Sequence, residues 1–301
     1  MKKDMTPAQL AERSIIKKYR KELWAPFVTA IRMYGLIQPG DRIAVCISGG
    51  KDSMLMAKLF QMLEKITEIP FETTYLVMDP GYKAENRRLI EQNAETLAIP
   101  IQIAESPIFA VAEKQTKNPC YLCAKMRRGY LYRFAKEAGC NKIALGHHRD
   151  DVIVTTVMAM FYASQLQGMM PRIRSKNFPG MELIRPMYRI FEEDIIAWKR
   201  YNGLEFLQCA CALTERAELD ESESKRQEVK SLIKTLKKTN PDIEKSLFNA
   251  IHTVETDTFP GWKERGTIHS FLEKWDQTED DRVQLSAAGN EADRSSQEAD
   301  S

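Results

Sequence analysis

Six consecutive residues, Ser48-Gly49-Gly50-Lys51-Asp52-Ser53, stand where an apolar run from Ile43 to Ile47 stops and a helical pattern begins. Adjacent glycines let neighbouring backbone N–H groups converge on one anion at the positive end of a helix. Lys51 adds a mobile cation and the Ser48 and Ser53 hydroxyls add donors, so the chemistry on offer is a grip on phosphate. A bare Gly-Gly turn would need neither the lysine nor the hydroxyls. The stretch is not a Walker A loop, because Asp52 stands where Ser or Thr should follow the lysine and the upstream glycine is missing. Asp52 suits either of two tasks, orienting Mg2+ or capping the helix.

Cysteines form the second candidate centre. Cys120-Tyr121-Leu122-Cys123 has the spacing that lets two thiolates bind one metal or cluster. Taken alone, it reads equally as half a zinc site, a redox dithiol or two unligated thiols. A second locus, Cys209-Ala210-Cys211, changes the balance if folding carries it to the same place, since three thiolates and an open position are then available. A closed four-cysteine zinc site is the rival, although Cys-x-Cys suits structural zinc knuckles less well than Cys-x-x-Cys. Cys46 and Cys140 have no cysteine close by in sequence and read as packing residues.

These groups need a scaffold. The run from Ile43 to Ile47 reads as a parallel strand buried on both faces. Met54, Leu55, Leu59, Met62 and Leu63 then line one helical stripe. Further strands are predicted over 73–78, 101–104 and 142–145, with helices over 84–97 and 124–138. Such alternation predicts an α/β fold with a doubly wound, mostly parallel sheet, whose ligands sit at the carboxyl ends of the strands. Both the Ser-Gly-Gly loop and the segment Gly146-His147-His148 lie at such ends. Upstream, residues 7–23 read as a basic amphipathic helix that either touches RNA or presents a solvated face. A second helix is predicted over 24–36. Downstream come an apolar helix over 151–163, an irregular stretch over 168–180 and the short extended piece Ile184-Arg185-Pro186. A helix over 192–201, a last strand over 205–207 and helices over 214–238 and 242–254 complete the pattern. The chain thus divides into helical N- and C-terminal appendages, 1–40 and 213–275, around a core domain at 41–212, with an acidic tail at 276–301 expected to be disordered.

With 301 residues and 43% apolar content, the chain can bury a substantial core. No apolar stretch approaches the roughly 18 residues of a membrane span, and Met1-Lys2-Lys3-Asp4 leads into polar sequence without a signal-peptide core. The expectation is a cytoplasmic protein with no membrane partner. Six cysteines are too sparse for a disulfide framework, and their clustering fits a reducing compartment. The net charge of +2 conceals an asymmetry: residues 276–301 hold eight acids and two arginines, a net of −6, which leaves +8 for residues 1–275. A basic body favours an anionic partner, although ATP alone would also reward it.

The six-residue loop resembles the PP-loop of the ATP pyrophosphatase superfamily, with its adenine nucleotide alpha hydrolase-like fold. Cys-x-x-Cys followed by Arg127-Arg128 and Arg133, then Gly146-His147-His148-Arg149-Asp150-Asp151, makes the stretch from Asp41 to Cys211 similar to the tRNA 2-thiocytidine synthetases, the TtcA family. The resemblance implies cleavage of ATP between its α and β phosphates with Mg2+, adenylation of a cytidine in the tRNA anticodon loop (position 32), and replacement of its C2 oxygen by sulfur. It also implies a [4Fe-4S] cluster held by three cysteines, with the fourth iron free to carry sulfur. Carried over, Cys120 and Cys123 are two ligands and Cys211 the third. The chain departs from the family here, having Cys-x-Cys where Cys-x-x-Cys is usual, so Cys209 remains an alternative. Lys51, Asp52, Cys120 and Cys123 would carry the chemistry. Ser48 to Ser53 with Gly146, His147 and Asp151 would hold the nucleotide, although a histidine here could merely bond a neighbouring carbonyl. Arg127, Arg128 and Arg133 would meet tRNA phosphates, a solvated basic face being the competing view. Sulfide or a cysteine desulfurase would supply sulfur, and a homodimer is plausible. A 2-thiouridine or persulfide-using enzyme is the close rival; a nucleotide-dependent RNA-binding or redox-sensing protein without turnover is the distant one.

Overall fold

The computed structural model describes residues 5–113, 119–207 and 221–275. Chain contacts divide it into two units, Met1–Phe248 and Asn249–Ser301.

The first unit opens with α1 (Pro7–Lys17), started by a reciprocal cap: the Thr6 hydroxyl accepts from the Gln9 N–H at 3.3 Å, and the Gln9 side chain accepts from the Thr6 N–H at 2.9 Å. A π-helical turn (Arg20–Trp24) leads into α2 (Ala25–Met33). These helices are not appended to the domain. Ile15, Leu23 and Phe27 are fully buried in one cluster with Ile43, Met54 and Phe60, and the Phe27 and Phe60 rings meet edge-to-face at 5.6 Å.

Then follow β1 (Asp41–Ile47), α3 (Lys51–Glu64), β2 (Phe71–Asp79), α4 (Ala84–Thr96), β3 (Ile101–Glu105), α5 (Ile108–Glu113), α6 (Pro119–Glu137), β4 (Lys142–Ala144), α7 (Arg149–Ala163), β5 (Arg172–Arg174), β6 (Glu182–Ile184), α8 (Glu192–Tyr201), α9 (Glu221–Lys237) and α10 (Ile243–Ala250). The sheet runs β3-β2-β1-β4-β6-β5. Every pairing is parallel except β5 with β6. The doubly wound, mostly parallel sheet expected from the alternating pattern is therefore present, with β1 at its centre and Ile43 to Ile47 buried. At its lower end the buried Lys142 ammonium lies 2.6 Å from Asp41 and donates to the Leu36 carbonyl at 3.0 Å, clamping β4 to β1.

Three local expectations change. The strand predicted over 205–207 does not join the sheet: the Leu207 N–H donates instead to the Gly49 carbonyl at 3.2 Å, docking this segment on the loop. The stretch over 168–180 contains β5, an antiparallel edge strand held by Glu182 to Arg172 pairing at 2.8 Å. Cys120 and Cys123 lie inside α6 rather than ahead of it.

The second unit carries an antiparallel hairpin of β7 (Gly261–Glu264) and β8 (Thr267–Ser270), then α11 (Leu272–Trp275). The C-terminal stretch read as helical thus also contains strands, with Trp262 stacked on His269 at 5.3 Å. No helix among the described residues is long and apolar enough to cross a membrane. The tail expected to be disordered lies outside the described residues.

Candidate functional site

β1 and β4 are neighbours from which the sheet grows in opposite directions, so the loops leaving their carboxyl ends separate and open a crevice. A cleft of about 410 Å³ occupies this position. Ser48, Asp52 and Ser53 line it from the first loop, Gly146, His147 and Asp151 from the second, and Arg127 and Arg128 from α6.

The loop is shaped by its own bonds. Gly49 has a φ of 85°, and a Cβ there would lie 2.6 Å from Cγ1 of buried Ile90 and 2.9 Å from Cδ1 of Leu207. The Ser48 N–H donates to the Ser53 hydroxyl oxygen at 3.1 Å, and that hydroxyl donates to the Gly50 carbonyl at 2.9 Å. Gly50 caps α3 without a side chain, leaving first-turn N–H groups for an anion. Gly146 closes the facing wall: a Cβ there would meet the Asp52 carbonyl carbon and the Ser53 nitrogen at 3.2 Å, both backbone atoms. The absent side chain lets the two loops touch.

Lys51 is held between carboxylates, 3.1 Å from Asp52 Oδ2 and 2.9 Å from Glu192 Oε1. Burial would lower its pKa, but Asp52 and Glu192 outweigh burial and raise it. Burial pushes the Glu192 carboxyl up, and Lys51 brings it below its ordinary value. Glu192 was not among the residues read from the sequence, where it looks like any acid favoured in a first helical turn.

The two histidines are shifted in opposite directions. His147 is pushed down to about 4 by burial and by the Arg185 guanidinium, whose Nε donates to His147 Nδ1 at 3.3 Å, placing the ring proton on Nε2. Burial acts downward on His148 as well, but the carboxylates around it prevail and raise its pKa. Asp150 and Asp151 lie at 3.5 Å and Asp52 at 3.9 Å. A residue that binds its proton more tightly when folded stabilises the fold fully below its unfolded value, near 6.5, and loses that contribution as pH rises through the higher folded value. Thermal melts from pH 6 to 9 should therefore show the wild type losing its margin over His148→Gln as pH rises. A margin independent of pH would remove the imidazolium from this account.

Asp52 Oδ1 is buried and accepts no hydrogen bond, as expected of a carboxylate oxygen with a lone pair to spare for a cation. Among the described residues no three His, Cys, Asp or Glu side chains form a ready metal cage. Mg2+ is commonly held by one or two carboxylates together with substrate phosphates, and the spare Asp52 oxygen fits such a role.

Among the cysteines, Cys123 is buried against Met78 and Ile108, and Met78 lines the cleft. Cys120 stands three positions earlier on α6. Cys209 and Cys211 lie outside the described residues, which reach Leu207 on the loop. Cys46 is buried and lines the cleft, with burial pushing its thiol up to about 12. Arg133 does not line the cleft; it pairs with Glu137 at 2.9 Å on the exposed face of α6.

Three comparisons bear on this geometry. The family model of the PP-loop domain matches residues 17–216. A tRNA-cytidine(32) 2-sulfurtransferase of Geotalea uraniireducens (strain Rf4) is 35% identical over 231 residues, covering 75% of this chain and 88% of the relative. One of the same name from Aliivibrio fischeri (strain MJ11) is 34% identical over 256 residues, covering 83% and 80%. Among solved structures, the U34-tRNA thiolase NcsA of Methanococcus maripaludis, with its [4Fe-4S] cluster, shares the fold with a TM-score of 0.60 at 22% identity, covering 76% of this chain and 78% of that one.

Proposed function

The chain belongs to the PP-loop family, in the branch of the tRNA 2-thiocytidine synthetases, and on that premise we propose that it is an ATP-dependent transferase that converts cytidine 32 of tRNA to 2-thiocytidine. The observation that carries the reading is the single cleft shared by the Ser48 to Ser53 loop, the Gly146-His147 wall and the Arg127-Arg128 pair.

The cytosine C2 oxygen is a poor leaving group, so its replacement needs prior activation. It attacks the α-phosphate of ATP, and pyrophosphate departs into the loop, where α3 N–H groups and Lys51 offset the developing charge. Asp52, with its unbonded Oδ1, is the carboxylate to hold Mg2+ with the phosphates, and Asp151 lines the nucleotide site. Neutral His147, its ring fixed by Arg185, lines the nucleotide site. Arg127 and Arg128 steer the RNA backbone toward the cleft. The target base must leave its stack, which a loop allows more cheaply than a duplex. Cys120, Cys123 and Cys211, or Cys209 in place of the last, are the residues to hold a [4Fe-4S] cluster. Two to four residues beyond Leu207 reach roughly 7–14 Å, a span that leaves these last cysteines within range of Gly49. When bound, the cluster would supply the sulfur that adds at C2 as the activated oxygen leaves with AMP. We place the protein in the cytoplasm, working as a homodimer on sulfide or sulfur from a cysteine desulfurase.

Incubating anaerobically purified protein with ATP, sulfide and unmodified tRNA, then analysing nucleosides by mass spectrometry, tests this. Release of pyrophosphate dependent on tRNA, with 2-thiocytidine formed, is expected; thiouridine, or no thionucleoside, overturns it. Arg127→Ala is expected to weaken tRNA binding across sequences and to lower the slope of log affinity against log salt by about 1. An unaltered slope would take Arg127 off the phosphate path.

A further inference from the structure

Residues 152–181, which run from the floor of the cleft along α7 and back through β5, contain no acid and three basic residues, Arg172, Arg174 and Lys176. The same stretch displays large apolar side chains: Phe161, Leu166 and Met170 are 56%, 55% and 61% exposed. Single exposed apolar residues are ordinary, but a series of them on one acid-free segment marks a contact surface.

The segment is moored to the cleft. Arg185, itself buried, donates from Nε to His147 and from its terminal nitrogen to the Met170 carbonyl, while its backbone N–H donates to the Pro171 carbonyl at 2.9 Å. The Tyr188 hydroxyl donates to the Met169 carbonyl at 2.7 Å. Met170 is thus fixed beside a cleft-lining histidine. At the far end, Phe161 meets Tyr162 edge-to-face at 6.4 Å, and the Lys225 ammonium lies 5.3 Å from the Tyr162 ring centroid. Phe161 lies thirteen positions beyond His148, about 20 Å along α7, the length of several nucleotides at about 3.4 Å each.

We propose that Met170, Leu166 and Phe161 form a platform against which unpaired bases next to the target base pack, so that the enzyme grips single-stranded RNA by base faces as well as by phosphates. This rests on the reading of the cleft as the site where an RNA base is thiolated. Apolar and aromatic side chains interleaved with cations are the combination that holds single-stranded nucleic acid, since every base has an apolar face. Around this surface Arg172, Arg174, Lys176 and Lys225 outnumber the two acids that reach it, Glu182 at 2.8 Å from Arg172 and Glu228 at 2.7 Å from the Tyr162 hydroxyl, a balance that favours a polyanion over a second copy of a chain whose surface carries both signs.

The test uses the full chain and an anticodon stem-loop RNA carrying 2-aminopurine beside the target cytidine. Wild type is expected to bind and to change the 2-aminopurine fluorescence. Phe161→Ala combined with Met170→Ala is expected to weaken binding about 10-fold or more and to abolish the fluorescence change, with the salt slope unaltered. Phe161→Trp should restore it. Unchanged affinity and fluorescence in the double variant overturn the platform. So does a shift from dimer to monomer in sedimentation with RNA affinity intact, which would make the surface a protein interface. A wild type that binds no RNA overturns the functional reading and the platform with it.

Discussion

Gly49→Ala is expected to raise the dissociation constant for ATP by two orders of magnitude or more. At a φ of 85° an alanine is strained by roughly 1–3 kcal/mol. Its Cβ would also sit 2.6 Å from Ile90, which is 1% exposed and has nowhere to retreat. The loop must move, and with it the N–H groups that face the phosphates. Displacements near 1 Å in such a site cost about a hundredfold. The fold should survive, with a Tm loss of roughly 2–10 °C. Titration calorimetry and thermal melts of the same preparation separate the effects. ATP bound as tightly as by wild type would mean that the loop is not the phosphate site.

Cys120→Ala is expected to abolish thiolation while leaving ATP affinity within about twofold. Cys120 lies in the first turn of α6, and the residues of that helix which line the cleft, Arg127, Arg128 and Leu131, come about two to three turns later. Loss of the thiol therefore leaves the nucleotide walls intact and removes one of the proposed cluster ligands. Anaerobic wild type should be brown with about four irons per chain, and the variant pale. A fully active variant would take Cys120 out of the chemistry. A colourless wild type with one zinc would replace the cluster with a structural site.

The loop and its surroundings were legible because their signals are local. Ser48 to Ser53 reads as a phosphate turn, and the alternation of strand and helix places Gly146 at the same end of the sheet. The position of Arg127 and Arg128 on the cleft follows from their place on the helix after the cysteine pair, whereas Arg133, read with them, lies on the exposed face of α6 beside Glu137. Glu192 and Arg185 were not legible as site residues. Their partners, Lys51 and His147, are 141 and 38 residues away, and nothing local distinguishes them from a helix-start acid and a strand-end base. The Glu205 to Leu207 segment misled for a related reason: its composition suits a strand, but Leu207 spends its N–H on Gly49 rather than on a neighbouring strand. The hairpin from Gly261 to Ser270 was missed because its strands have only four residues each.

The pairing of β1 has a consequence for how the protein is made. One edge of β1 is covered by β2, with Ile43 beside Thr73; the other waits for β4, with Ile43 beside Lys142, roughly a hundred residues later. At ribosomal speeds of about 5–20 residues per second, the nascent chain carries that bare apolar edge for about 5–20 s. The half that holds the Gly-Gly turn is therefore translated well before the half that walls it in, and the interval is when this polypeptide most needs a chaperone.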